Sequence, residues 1–244
     1  AGGTTVNSGA TLDLNGVTVG AEALTLAGGT LKDVTSSLAG DITLTANSTF
    51  SATNVGDTLT LSGVISGGFG ITKTGDGTLV LTNANTYTGA TTISAGTLSL
   101  TGTGSIATSA GVTVNGTLDI SGTTSGASIK ALAGSGTVAL GANPLTISAA
   151  TNGDYSGSIT GTGGALILTS GTQTLSGANT YSGGTTINGG TLIVTSGSGL
   201  GATSANLTMS GTAVLDLRAA LTVGNLSMAT GNTIIRTSGT SSLV

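Results

Sequence analysis

The chain has 244 residues, 44 of them Gly and one Pro (Pro144), with 6% charged side chains at a net charge of −4 and neither Cys nor His. An ordinary globular chain is roughly a quarter charged and about 7% Gly, while disordered chains are poor in the β-branched residues that fill this one, so it is read as ordered with very many turns. Without Cys there is no disulfide, thiolate metal site or cysteine nucleophile, and without His the commonest metal ligand is gone.

Along the chain, apolar residues alternate with small or polar ones in short triplets, each followed within a few residues by Gly, Asn or Ser. They run LDL 12–14, LTL 24–26, ITL 42–44, LTL 59–61, LVL 79–81, LSL 98–100, VTV 112–114, VAL 138–140, LTI 145–147, LIV 192–194 and LTM 207–209. A period of two predicts strands with one buried face, and the frequent breaks make them very short. No i, i+3, i+4 apolar stripe is sustained, and the Gly density argues against helices. The prediction is all-β. Sandwiches and barrels usually fill their cores with aromatics, and this chain has two Phe, three Tyr and no Trp. Three-residue strands between tight turns suit instead a parallel β-helix (β-solenoid) of about ten coils, at roughly 20 to 25 residues each, stacked ~4.8 Å apart.

A long repeat supports the solenoid. NANTYTGATTI at 83–93 returns as GANTYSGGTTI at 177–187, so Tyr87 and Tyr181 are 94 residues apart, and the same offset aligns Ile65 with Ile159 and GTL 96–98 with GTL 190–192. VNGTLDI 114–120 resembles VNSGATLDL 6–14 and MSGTAVLDL 209–217 after slips of one or two residues, which solenoid turns tolerate. A compact duplicated domain is the alternative.

The phrases GTLVLTNANTYTGATTISAGTLSL 77–100 and GTQTLSGANTYSGGTTINGGTLIV 171–194 resemble the passenger-associated transport repeat of bacterial autotransporters. The resemblance implies a right-handed β-helical passenger, displayed outside the cell and exported through a C-terminal membrane β-barrel. It also implies that 1–244 is one continuous β-helix segment of a longer passenger, with transport-type repeats near 65–100 and 159–194. Neither a signal peptide in AGGTTVNSGA 1–10 nor a barrel after RTSGTSSLV 236–244 is seen, as for an excised segment. The motif residues singled out are Asn85, Tyr87 and Gly89, and Asn179, Tyr181 and Gly183.

Chemistry is sparse. Lys32, Lys73, Lys130, Arg218 and Arg236 are scattered and make no basic patch, which argues against nucleic acid. Asp13, Asp119 and Asp216 each centre an LDL-type triplet and are expected to point outward into solvent, too far apart for the two-carboxylate chemistry of glycosidases. GGFGITKTG 67–75 lacks the Asp of a calcium nonapeptide, carrying Thr72 in its place. No catalytic, cofactor or metal residues are assigned. Each motif Asn is expected to take a turn conformation and bond its own backbone, with the Tyr ring over the next coil and its hydroxyl wet.

The leading expectation is a non-catalytic extracellular stalk or adhesin at the bacterial surface. Its partners would be an unidentified surface receptor, other copies of itself and the C-terminal barrel. A polysaccharide-acting β-helix enzyme and an ice-binding solenoid are the alternatives. The second wants a regular outward Thr array, and the central triplet residues vary among Thr, Asp, Ser, Ala, Val and Ile.

Overall fold

A computed structural model describes residues 3–237 and 243–244, so residues 1–2 at the start of the 1–244 segment and 238–242 of the terminal RTSGTSSLV lie outside the described residues. Among the described residues there are 28 strands and no helix. The chain divides into two compact units, 1–124 and 125–244, and each is a β-solenoid of parallel strands.

The coils of the first unit build three sheets, the first of four strands and the other two of six strands each within this unit. The first sheet stacks Thr4–Asn7, Leu24–Ala27, Ile42–Ala46 and Ile65–Gly67. The second stacks Thr11–Asp13, Thr30–Asp33, Ser48–Ala52, Ile71–Thr74, Thr91–Ile93 and Val112–Val114. The third runs from Thr18–Val19 through Thr35–Leu38, Thr58–Leu61, Thr78–Leu81 and Thr97–Gly102 to Thr117–Thr123.

Period-two patterning fixes what each strand buries. In the third sheet Leu59, Leu79, Leu98 and Leu118 stand one above another in register, each fully shielded from solvent. Each such leucine contributes ~1.5–3 kcal/mol of burial, and a one-residue slip would turn the whole row outward. Register is thereby fixed coil by coil.

In the second unit Ala127–Ile129, Pro144–Ile147, Ala165–Leu168 and the first half of Thr185–Val194 form one stack. Ala150–Tyr155, Gly171–Leu175 and the second half of Thr185–Val194 form another. Both continue onto Leu207–Leu217, whose register shifts opposite Ile187 and Gly189, where the strand bends from one face to the next. Pro144 opens its strand, a position where no ladder donor is missed.

Coils run from 18 to 23 residues, from below the short end to the middle of the roughly 20 to 25 expected from the usual repeat lengths of such arrays. Leu59 pairs with Leu79 and Leu79 with Leu98, advances of 20 and 19 residues, and Leu24 pairs with Ile42 after 18. The turns number about 12 rather than about ten. The tightening rests on residues that accept a left-handed backbone. Gly96 (φ 62°) and Gly190 (φ 77°), 94 residues apart and each opening a GTL strand, lie against carbonyls of the coil below, Gly77 and Gly171 respectively. Any side chain there would meet both strain and backbone.

Candidate functional site

The repeated phrase begins where a sheet ends. Ile65–Gly67 is the last strand of the first sheet in the first unit, and the chain one coil later, 83–88, runs over it without forming a strand. Thr86 N and Thr88 N still donate to Ile65 O and Gly67 O. The donor at Ile65 N, however, finds no backbone carbonyl and is met by Asn85 Oδ1 at 2.8 Å. Asn85 Nδ2 then donates to Asn83 O (3.0 Å) and to Ser105 O on the following coil (3.1 Å). One side-chain amide thus joins three successive coils. Asn179 repeats the arrangement, accepting from Ile159 N at 2.8 Å and donating to Gly199 O at 2.7 Å.

Both asparagines are buried, and among the described residues the non-glycine positions with positive φ are Asn15 and Asn152. The expected turn conformation bonded to its own backbone is therefore corrected to a staple across coils. A buried amide can satisfy both polar ends only if partners stand on either side of it, and stacked coils supply them.

The tyrosines depart further from expectation. Tyr87 and Tyr181 are fully buried, and their hydroxyls are not wet. Tyr87 Oη lies 2.6 Å from Thr91 Oγ1, which lies 3.0 Å from Ser109 Oγ, which donates to Gly89 O at 2.9 Å. Tyr181 Oη lies 2.6 Å from Thr185 Oγ1. In each case the Thr that opens the TTI strand faces inward and takes the phenol of the preceding turn, because a buried hydroxyl without a partner costs a few kcal/mol. Burial pushes both phenols well above the usual tyrosine range, the Thr91 and Thr185 bonds pulling weakly the other way. Tyr155, outside the motif, is buried too, with its hydroxyl donating to Gly136 O at 2.8 Å.

Gly89 and Gly183 complete the phrase by close approach. A Cβ on Gly89 would run into the backbone of Phe69 and Gly70, and one on Gly183 into Gly163 and Gly164. Gly89→Ala is therefore expected to cost about 1–3 kcal/mol, as overpacking does, measured as a fall in urea midpoint at unchanged slope.

Other polar residues work inside the stack without any repeat to announce them. Lys73 stands in register between Phe50 and Ile93, fully buried, with Nζ donating to Thr74 O (2.7 Å), Gly75 O (2.7 Å) and Ala95 O (3.3 Å). Burial pulls its pKa down to about 8, against the pull of Asp76. Gln173, also fully buried, exchanges hydrogen bonds with Leu132 and donates to Gly153 O at 3.1 Å. Asn232 bridges Ala213 N and Met209 O, as the motif asparagines bridge their neighbours. Asp33 is buried with Oδ1 held by Ser36 Oγ, its Oδ2 having no hydrogen-bond partner among the described residues.

The three triplet aspartates have different fates. Asp13 is exposed and bonds Lys32 Nζ at 2.9 Å, a hydrogen bond that holds its carboxyl below the usual range. Asp119 is half-buried and accepts from Ser121 N. Asp216 is outward in its strand but 2% exposed, which corrects the solvated reading. Thr237 and Arg218 cover it, at 2.8 Å from Thr237 Oγ1 and 2.8 Å from Arg218 Nη2. Burial pulls its pKa up, and the bonds to Thr237 and Arg218 outweigh that and hold it low. Asp13 and Asp119 belong to different sheets of the first unit. Among the described residues no three Asp, Glu, His or Cys side chains gather as a metal would need.

Two surface hollows stand apart from the staples. One, of about 180 Å³, is mostly apolar and lined by Leu12, Leu14, Leu24 and Leu38 of the first coils together with Thr4, Val19, Glu22 and Ala23. The other, also about 180 Å³, lies on the outer side of the second sheet against Asn47, Gly70, Ile71, Thr72, Ala90 and Thr92.

Residues 71–100 and 170–194 match the family described as passenger-associated-transport-repeat. Over 159 residues the chain is 37% identical to an adhesin, the BmaC autotransporter of Brucella suis biovar 1 (strain 1330), the match covering 64% of this chain and 5% of that protein. The chain therefore spans a small fraction of its relative's length. No solved structure matches.

Proposed function

We propose, from the premise that this chain is an autotransporter passenger segment carrying two passenger-associated transport repeats, that it serves as a non-catalytic extracellular stalk with adhesive outer faces at the bacterial surface. One observation carries the stalk reading: in both repeats an Asn amide replaces a missing strand partner and holds successive coils in line while a buried Tyr fills the interior behind it. Such a device adds rigidity at the place where a sheet would otherwise lapse. Right-handed winding follows from the strong preference of parallel crossovers for that hand.

We take 1–244 as one segment of a longer passenger, joined in the full-length protein to a C-terminal membrane β-barrel as its family implies. In a solenoid each coil is stabilised chiefly by its neighbours, so coils that fold outside the cell hold the exported part there, and a well-stapled coil does so best. The relative's description as an adhesin supports contact with a surface receptor or with other copies. Deleting 77–100 from the full-length protein is expected to reduce surface display, measured by antibody labelling of intact cells. Undiminished display would remove the transport role.

A further inference from the structure

The outer face of the second sheet carries a row that becomes visible only in register. Thr11 pairs with Thr30, Thr30 with Thr49, Thr49 with Thr72, Thr72 with Thr92, and Thr92 with Thr113. Six successive coils of the first unit thus present threonine at one position, on the side opposite the inward Leu12, Leu31 and Phe50. Rungs of such a stack stand ~4.8 Å apart.

Three further observations distinguish the middle of this row. The groove against Thr72 and Thr92 opens there. Phe69, next to the groove residue Gly70, is 41% exposed, whereas Phe50, Tyr87, Tyr155 and Tyr181, the other aromatic side chains of the protein, are all at 0%. Asn47 accepts from Gly70 N at 2.8 Å with Oδ1, which leaves its Nδ2 donors for a guest. Charge is absent from the groove lining, because Lys73 is turned inward and the ion pair near the end of the row, Asp13 with Lys32, neutralises itself.

We propose that this face binds a neutral, extended polysaccharide laid along the coil axis. Phe69 packs on the C–H face of a sugar ring, and Thr72, Thr92 and Asn47 exchange hydrogen bonds with its hydroxyls. Hydroxyl side chains both donate and accept, as sugar hydroxyls do, and an aromatic face adds apolar contact. An anionic polymer would find no cation in the groove. A sugar unit of an extended glycan is comparable in length to the rung spacing, so neighbouring coils meet neighbouring units. The inference deepens the adhesive reading and rests on it for its biological setting.

The test is calorimetric titration of the 244-residue chain with cellohexaose and chitohexaose. Binding of at least one is expected, weakened at least tenfold by Phe69→Ala, by Thr72→Lys and by Thr72→Val in protein whose melting temperature is unchanged. Thr78→Lys, on the outward row of the third sheet, should leave it as it was. No binding of either glycan by the wild type overturns the proposal, as does equal loss in Thr78→Lys, or thermal hysteresis without glycan binding, which would mark an ordered-water surface instead. Adhesion of cells displaying the full-length protein separates the two readings. Adhesion of the displayed protein with no glycan binding by the purified chain overturns the glycan site and leaves the adhesin. Glycan binding by the purified chain without any cell adhesion upholds the site and removes the adhesin.

Discussion

Tyr87→Ala is expected to destabilise the first unit by about 3–5 kcal/mol, the range for deleting a fully buried aromatic, and Tyr181→Ala to do the same in the second. Each ring fills the interior where a sheet has lost its strand, so the void cannot close without moving the coils on either side. Hydrogen exchange should show amides around 65, 87 and 105 losing protection first in Tyr87→Ala, and those around 159, 181 and 199 in Tyr181→Ala. The conservative changes separate ring from hydroxyl. Tyr87→Phe leaves Thr91 Oγ1 its second partner, Ser109 Oγ at 3.0 Å, and should cost about 1 kcal/mol, a hydrogen bond's usual net worth. Thr185 has no such relay, since the Ser of the matching ATSA stretch, Ser204, is exposed where Ser109 is buried. Tyr181→Phe therefore leaves a buried hydroxyl stranded and should cost about 1 kcal/mol more. Equal losses for the two phenylalanine variants would show that the Ser109 link carries no weight.

The triplets and Gly spacing were enough to read parallel coils, because alternation and turn chemistry are local and each coil repeats them. What stayed hidden was whatever depends on register. The outward Thr row of the third sheet is a case in point. The varied residues Thr60, Val80, Ser99 and Asp119 are the triplet centres of the third sheet, while Thr58, Thr78, Thr97 and Thr117, one place before each triplet, are all threonine and stack directly. A coil length that drifts between 18 and 23 residues, from Leu24 to Ile42 and then to Ile65, conceals such a row in the linear chain. The motif residues were visible through their repetition, but not their task, since Asn85 acts on residues 20 positions away in both directions. Lys73 gave a misleading signal. In ITKT it occupies an inward position of the alternation, and a lysine there is ordinarily a reason to doubt the strand. It is accommodated because its three ammonium donors meet three carbonyls, those of Thr74, Gly75 and Ala95, at a turn.

That same lysine and the three tyrosines should give the protein an unusual alkaline profile, with stability rising from pH 8 to a maximum near pH 10 and falling beyond it. Lys73 titrates at about 8 when folded against 10.5 in an ordinary lysine. Between those values the unfolded chain binds more protons than the folded one, so stability increases with pH, by up to about 3 kcal/mol over the whole interval. Tyr87, Tyr155 and Tyr181 act in the opposite sense. Their folded pKa values are raised above the ordinary 10, so the stability their burial requires is intact below pH 10 and is lost as pH climbs and the unfolded chain alone ionises. Three phenols together give a slope of about 4 kcal/mol per pH unit once all are ionised in the unfolded chain. Urea denaturation from pH 7 to 11 reads both limbs. Lys73→Met keeps the buried stem between Phe50 and Ile93 and removes the titration, so its curve should be flat from pH 8 to 10 and then fall as the wild type does. Tyr155→Phe should leave the rising limb alone and make the fall shallower by a third. A wild-type curve without a rise between pH 8 and 10 would mean that the three carbonyls keep the Lys73 ammonium charged in the folded protein as firmly as water does outside it.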